Sequence, residues 1–146
     1  MISLLENVPI FAGLQDEALE LLLDHAVRCD HATGEVVVRE GEASNLLFLI
    51  GSGSVRVIKN FGAPNAMELT TLTAKDFFGE MCIIDTLPRM ATVVTGEPSV
   101  LFSISTMAFH RLYQKMPAQH SILILNIARD LARRLRRLDE VFAASH

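Results

Sequence analysis

The spacing of hydrophobic residues changes along the chain. In residues 14–27, leucines and alanines recur at helical intervals, and Asp16 and Glu17 stand where acidic side chains favour the N-terminal end of a helix dipole. From about residue 35 the pattern becomes a series of short β-type runs separated by Gly, Pro, Asn and Asp. The runs are 35–40, 45–53, 54–60, 67–72, 91–96 and 99–104. This order predicts an N-terminal helix followed by an antiparallel sandwich or roll.

Three further segments predict helices. Residues 79–87 read as a short helix inserted between strands, which starts immediately after Gly79. Residues 106–115 read as a second helix, which Pro117 ends. Residues 118–143 form the longest helical segment.

The apolar positions of residues 118–143 follow a heptad repeat. They are spaced alternately four and three residues apart, at Ile124, Ala128, Leu131, Leu135, Leu138 and Phe142. That spacing is typical of a helix that packs against a second helix, although an amphipathic helix lying on its own domain is the alternative interpretation. Because arginines occupy the outer positions, we expect a homodimer through residues 118–143.

The length of 146 residues suits one domain whose core needs neither a disulfide nor a metal. We divide the predicted domain, 1–146, into an N-terminal helical segment (1–30), a β-roll (31–105) and C-terminal helices (106–143). The predicted fold class is α+β, mainly β. It is an antiparallel β-roll or jelly roll with an N-terminal helix, an inserted short helix and a long C-terminal helix.

Composition narrows the possible functions. The net charge of −4 argues against a general nucleic-acid binder. Five of the ten arginines lie in residues 129–146, beside the apolar heptad positions, which we call the heptad seam. We interpret these arginines as a solvated helix face. No apolar run approaches the roughly 20 residues of a membrane span, and no signal peptide is visible. We therefore expect a cytoplasmic protein without a membrane segment.

Metal and catalytic chemistry find little support in the sequence. Cys29 and Cys82 stand far apart, with no CxxC pair and no zinc spacing. The five histidines form no HxH cluster, and no Ser/His/Asp or Cys/His arrangement is evident. We expect no metal, no cofactor and no enzymatic activity.

The most informative residues lie between positions 77 and 94. Phe78-Gly79-Glu80 precedes a short apolar segment, 81–84, and then Pro88-Arg89-Met90-Ala91-Thr92-Val93. Upstream stand Gly41-Glu42, the apolar run 46–50 and Gly53-Ser54-Val55. Together they resemble cyclic nucleotide-binding domains, as in catabolite activators and the regulatory subunits of protein kinase A. The resemblance covers nearly the whole chain and implies a sensor that binds a cyclic nucleotide through a phosphate-binding cassette, which we place at residues 77–94.

The chemistry of these residues suits a cyclic 3′,5′-phosphate, which is a monoanion. Gly79 lets the backbone approach a ligand, and the turn that opens the short helix presents unpaired N–H groups. Arg89 adds a permanent charge. We interpret Glu80 as the acceptor for the ribose 2′-hydroxyl and as the partner of an arginine. The predicted phosphate and ribose site comprises Phe78, Gly79, Glu80, Met81, Cys82, Ile83, Arg89, Met90 and Ala91.

By resemblance, the base lies between the roll and the long helix. The predicted base-proximal residues are Leu69, Thr70, Arg134, Leu138 and Asp139. Met90 departs from the family pattern, which has a small or hydroxylated residue there. Because a hydroxyl at this position is associated with guanine preference, Met90 favours cAMP over cGMP. The longer side chain also narrows the expected pocket.

The leading hypothesis is a non-enzymatic cyclic nucleotide sensor that signals to an unknown downstream protein by moving its C-terminal helix. The chain ends near where related bacterial regulators begin a helix-turn-helix domain, so we expect no DNA binding by this chain. Two alternatives remain. One is a dimerising interaction module of the same fold that binds no cyclic nucleotide, for which Met90 is the best support. The other is a metal-dependent enzyme on a related roll, which the missing histidine cluster disfavours.

Overall fold

Two antiparallel sheets, packed face to face, form the body of the fold. The computed structural model describes residues 2–43, 45–85 and 87–145. In chain order its strands are β1 (Val27–His31), β2 (Val36–Val38), β3 (Leu46–Ser52), β4 (Ser54–Lys59), β5 (Met67–Thr73), β6 (Phe77–Phe78), β7 (Thr92–Thr95) and β8 (Ser99–Ser105). One four-stranded sheet has the order β1-β8-β3-β6 and the other the order β2-β7-β4-β5.

Strand β3 is buried on both faces, which explains its continuous apolar sequence. Successive side chains of a strand point to opposite sides of the sheet. Leu47 and Leu49 therefore join Ile104 in a core cluster that the helices cover. Phe48 and Ile50 join Val55 in a second cluster, which lies between the two sheets.

The helices flank the first sheet. They are α1 (Asp16–Leu23), α2 (Thr106–Lys115) and α3 (Pro117–Ser145), with 3₁₀ turns at Ile2–Leu4, Pro9–Phe11 and Glu80–Ile83. Met116 separates α2 from α3 with backbone angles that are not helical (φ −138°, ψ 66°). The proline that follows disfavours helical angles at Met116 but is well suited to the first position of α3.

The first half of α3 is fixed to the N-terminal segment. Leu123 and Ile127 are fully buried in the helix-covered cluster. The Asn126 amide donates to the carbonyl oxygens of Ile10 (3.0 Å) and Ala12 (2.8 Å). Further along the helix, residues 135–144 are all exposed.

The observed architecture confirms the predicted mainly-β roll with its N-terminal and long C-terminal helices, but it differs from the prediction in three details. Residues 1–30 are not all helical, because α1 ends at Leu23 and Val27–His31 is an edge strand paired with β8. Strand β6 was not predicted. The expected helix at 79–87 is a single 3₁₀ turn, Glu80–Ile83. Thr86, within that prediction, and Met1 and His146, at the ends of the predicted domain, lie outside the described residues.

No helix among the described residues is both long enough and apolar enough to cross a membrane.

Candidate functional site

Arg89 is a buried cation at the centre of the predicted site. Only 9% of its surface is exposed. Its Nη2 donates to the Leu46 carbonyl oxygen at 2.9 Å, and its guanidinium lies 5.6 Å from the centre of the Phe48 ring. Its Nε has no hydrogen-bond partner, and no carboxylate among the described residues forms an ion pair with it. Burial lowers the pKa of Arg89. An anion placed here would stabilise the charge and satisfy the free donor.

Gly79 makes room for that guanidinium. Its φ of +84° lies in the left-handed region that favours glycine. A Cβ at this position would collide with Arg89 Nη1 and with the Leu46 carbonyl oxygen. The glycine is therefore required both by the turn that begins the cassette and by the packing of Arg89.

The turn that carries Arg89 is joined to the loop before β3. The Arg89 amide donates to the Glu42 carbonyl oxygen, and the Gly41 amide donates to the Arg89 carbonyl oxygen, both at 2.8 Å. The two separate motifs of the sequence, Gly41-Glu42 and Pro88-Arg89, are thus in direct contact. Among the loop residues that the structure describes, the Ala91 amide donates no hydrogen bond to a backbone carbonyl.

The 3₁₀ turn Glu80–Ile83 places an acid beside this site. Glu80 is 4% exposed, and its Oε1 accepts a 2.7 Å hydrogen bond from Arg134 Nη1. The Cys82 amide donates to the Gly79 carbonyl oxygen at 3.3 Å, which closes the turn. The Cys82 side chain is buried, and Ile83 packs against the helix-covered core.

Arg134 links α3 to the cassette. Besides Glu80, it pairs with Asp130 one helical turn earlier, at 3.0 Å between Nε and Oδ2, and it lies over the Phe77 ring at 5.4 Å. Sequence reasoning named Arg134 and Glu80 but missed Asp130. Its spacing of four residues from Arg134 was the signal that could have found it.

The remaining predicted residues stay apart. Leu69 and Thr70 lie exposed on β5, which is an edge strand of the second sheet. Leu138 and Asp139 lie exposed on the last turns of α3, and neither is bonded to the cassette in the part of the chain that the structure describes. Met90 is 71% exposed, so its side chain is not packed into the interior of the site.

No three His, Cys, Asp or Glu residues within 2–43, 45–85 and 87–145 are grouped as metal ligands.

The buried Arg89 and the left-handed Gly79 are packed together at the turns of a β-roll, and this arrangement is chemically suited to an anion. Residues 29–116 match the sequence model of the cyclic nucleotide-binding domain. The chain belongs to this family. The match ends at Met116, so α3 lies beyond it.

Three comparisons place the chain among known proteins. It is 29% identical to the cyclic AMP receptor protein of Thermus thermophilus over 92% of this chain and 61% of that protein. It is 33% identical to cGMP-dependent protein kinase, isozyme 1, of Drosophila melanogaster over 68% of this chain and 13% of that protein. The chain thus spans only part of either relative. The crystal structure of a cyclic nucleotide-binding domain from Methylobacillus flagellatus KT shares the fold, with a TM-score of 0.83 at 22% identity over 99% of this chain and 82% of that one.

Proposed function

We propose that this chain is a non-enzymatic sensor that binds cAMP in preference to cGMP. The observation that carries the proposal is the buried Arg89 guanidinium, whose Nε has no partner within the cassette of a cyclic nucleotide-binding domain. A cyclic phosphate supplies the missing charge and has acceptor oxygens for both Nε and the Ala91 amide.

Glu80 is the proposed ribose acceptor. Arg134 donates to its Oε1, which leaves Oε2 to accept the 2′-hydroxyl. In this arrangement the ion pair between Arg134 and Glu80 persists when the ligand binds, so α3 stays connected to the cassette through the Glu80 carboxylate.

The preference for adenine rests on the residues around the base. Met90 has no hydroxyl with which to hold a guanine amino group. Leu69 and Thr70 on β5 contact one side of the purine, and Leu138 and Asp139 of α3 approach it from the other. The Asp139 carboxylate accepts from the adenine amino group. Because the Met90 side chain is exposed, its length does not support the alternative that this domain binds no cyclic nucleotide.

Dimerisation and signalling are assigned to α3. Leu135, Leu138 and Phe142 of the heptad seam are all more than 60% exposed. In a homodimer through residues 118–143 they are covered by the second copy. Ligand binding biases the position of this helix and so signals to a downstream protein in the cytoplasm. We propose no DNA binding and no metal or cofactor for this chain.

Isothermal titration calorimetry with cAMP, cGMP and 2′-deoxy-cAMP tests the proposal. We expect the tightest binding for cAMP, with 2′-deoxy-cAMP weaker by one net hydrogen bond of about 0.5–1.5 kcal/mol. In Glu80→Gln the difference between cAMP and its deoxy analogue shrinks. If none of the three nucleotides binds at millimolar concentration, the proposal is wrong. Tighter binding of cGMP would overturn the ligand assignment alone.

A further inference from the structure

Lys59, at the end of β4, reaches across to the cassette. Its Nζ donates to the Met90 carbonyl oxygen at 2.9 Å and pairs with Glu40 Oε2 at 3.0 Å. Its side chain is 43% exposed, so the ion pair alone contributes little to stability. The carbonyl contact is the more informative one, because it acts on the peptide that follows Arg89.

Glu40 holds Lys59 in that position. Its Oε1 accepts the Asn60 amide at 3.0 Å, and its own amide donates to Thr92 Oγ1 at 3.0 Å. The Asn60 amide and, after it, the Lys59 ammonium lower the pKa of Glu40. The carboxylate therefore stays ionised near neutral pH and connects Lys59 to β4 and to the first residue of β7.

The peptide between Met90 and Ala91 is the element that Lys59 orients. No cis peptide occurs among the described residues, so this bond is trans and planar. In a trans peptide the C=O and N–H vectors point in opposite directions. A cation that fixes the Met90 oxygen on one side therefore aims the Ala91 N–H towards the other. Because a hydrogen bond at the carbonyl polarises the amide, it also strengthens Ala91 as a donor.

The preceding peptides of the turn are already fixed. Gly41 and Glu42 hold the carbonyl and the amide of Arg89. Without Lys59, the Met90–Ala91 peptide lacks the hydrogen bond that fixes its carbonyl within the part of the chain that the structure describes. Rotation of this single peptide would turn the Ala91 donor away while leaving Arg89 in place.

We infer that Lys59, held by Glu40, is a positioning residue of the phosphate site: through the Met90 carbonyl it aims the Ala91 amide at the ligand. It contacts no ligand atom itself. The inference rests on the proposed function and assigns one further determinant of phosphate recognition to a strand outside the cassette.

The test compares Lys59→Met with Lys75→Met. Lys75 is a matched control, because its Nζ also donates to a backbone carbonyl, that of Ser3 at 2.8 Å, away from the cassette. Calorimetry should show cAMP binding weakened roughly 3- to 10-fold in Lys59→Met, the range of one net hydrogen bond, and unchanged in Lys75→Met. Lys59→Arg, which keeps the charge and the donors, should recover most of the affinity.

A second measurement separates positioning from a general loss of structure. The two exocyclic phosphate oxygens are inequivalent, so replacing either with sulfur gives two diastereomers that the Ala91 amide distinguishes. In Lys59→Met the ratio of their dissociation constants should move towards one.

Two results would overturn the inference alone: wild-type affinity in Lys59→Met, or an equal loss for cAMP and both diastereomers. If the wild-type protein binds no cyclic nucleotide, the proposed function fails and the inference fails with it. Binding by the wild-type protein thus separates the two failures.

Discussion

Replacing Arg89 with methionine distinguishes a ligand-binding arginine from a structural one. Among the described residues, the guanidinium makes one hydrogen bond, to the Leu46 carbonyl oxygen, and its Nε makes none. The substitution loses that hydrogen bond, but it also removes a positive charge from a side chain that is only 9% exposed. Because the two effects oppose each other, we expect the free energy of unfolding to change by about 1 kcal/mol or less.

Ligand affinity should change much more than stability. The free Nε provides one charge-assisted hydrogen bond to the phosphate, worth about 1.5–3 kcal/mol. Losing it raises the dissociation constant of cAMP by a factor of about 10 to 150. Calorimetry and urea denaturation on the same preparation measure the two quantities, with Arg28→Met as a control, since Arg28 is an exposed arginine paired with Asp30 on β1. An unchanged affinity together with a large loss of stability would refute the reasoning.

Three further substitutions test the rest of the account. Gly79→Ala should lower the free energy of unfolding by about 1–3 kcal/mol in urea denaturation, because its φ is +84° and a Cβ collides with its neighbours; full stability would contradict this. Leu135→Asp should yield a monomer by sedimentation while the domain stays folded, because Leu135 is 61% exposed, whereas Leu131 packs on its own core; a persistent dimer would refute the seam. Burial lowers the pKa of His120 below its usual 6.5, so the folded protein binds a proton at His120 less readily than the unfolded chain does, and stability falls as the pH drops below 6.5. The unfolding midpoint of His120→Gln should therefore drop less between pH 7.5 and pH 5.5 than that of the wild type. Equal drops would contradict this.

The sequence predicted the strands whose burial leaves a pattern. Runs such as 46–50 are apolar because both faces of β3 are covered. Strand β1 was missed because Val27–His31 is an exposed edge strand, on which burial imposes no alternation. Strand β6 has only two residues, too few to show a period. The inserted helix was overestimated, since an apolar segment of this length fits a helix or a single turn equally well.

The candidate site was predicted unevenly for a similar reason. Gly79, Glu80 and Arg89 belong to a local motif whose spacing is visible in one dimension. The bonds from Lys59 to Glu40 and to Met90 join distant parts of the chain, and no periodicity records them. The seam on α3 was visible, but Leu131 packs against its own domain, because a heptad pattern does not distinguish the domain's core from a second helix.

The most direct test of the central claim follows the Arg89 Nε–H and Ala91 N–H resonances in ¹⁵N-labelled protein during titration with cAMP. Arg89→Met and Ala91→Gly supply the assignments. A phosphate bound between these donors should shift both proton resonances downfield, to saturation, with the dissociation constant that calorimetry gives. If both resonances stay in place at saturating cAMP, the phosphate does not bind at this cassette and the account is wrong.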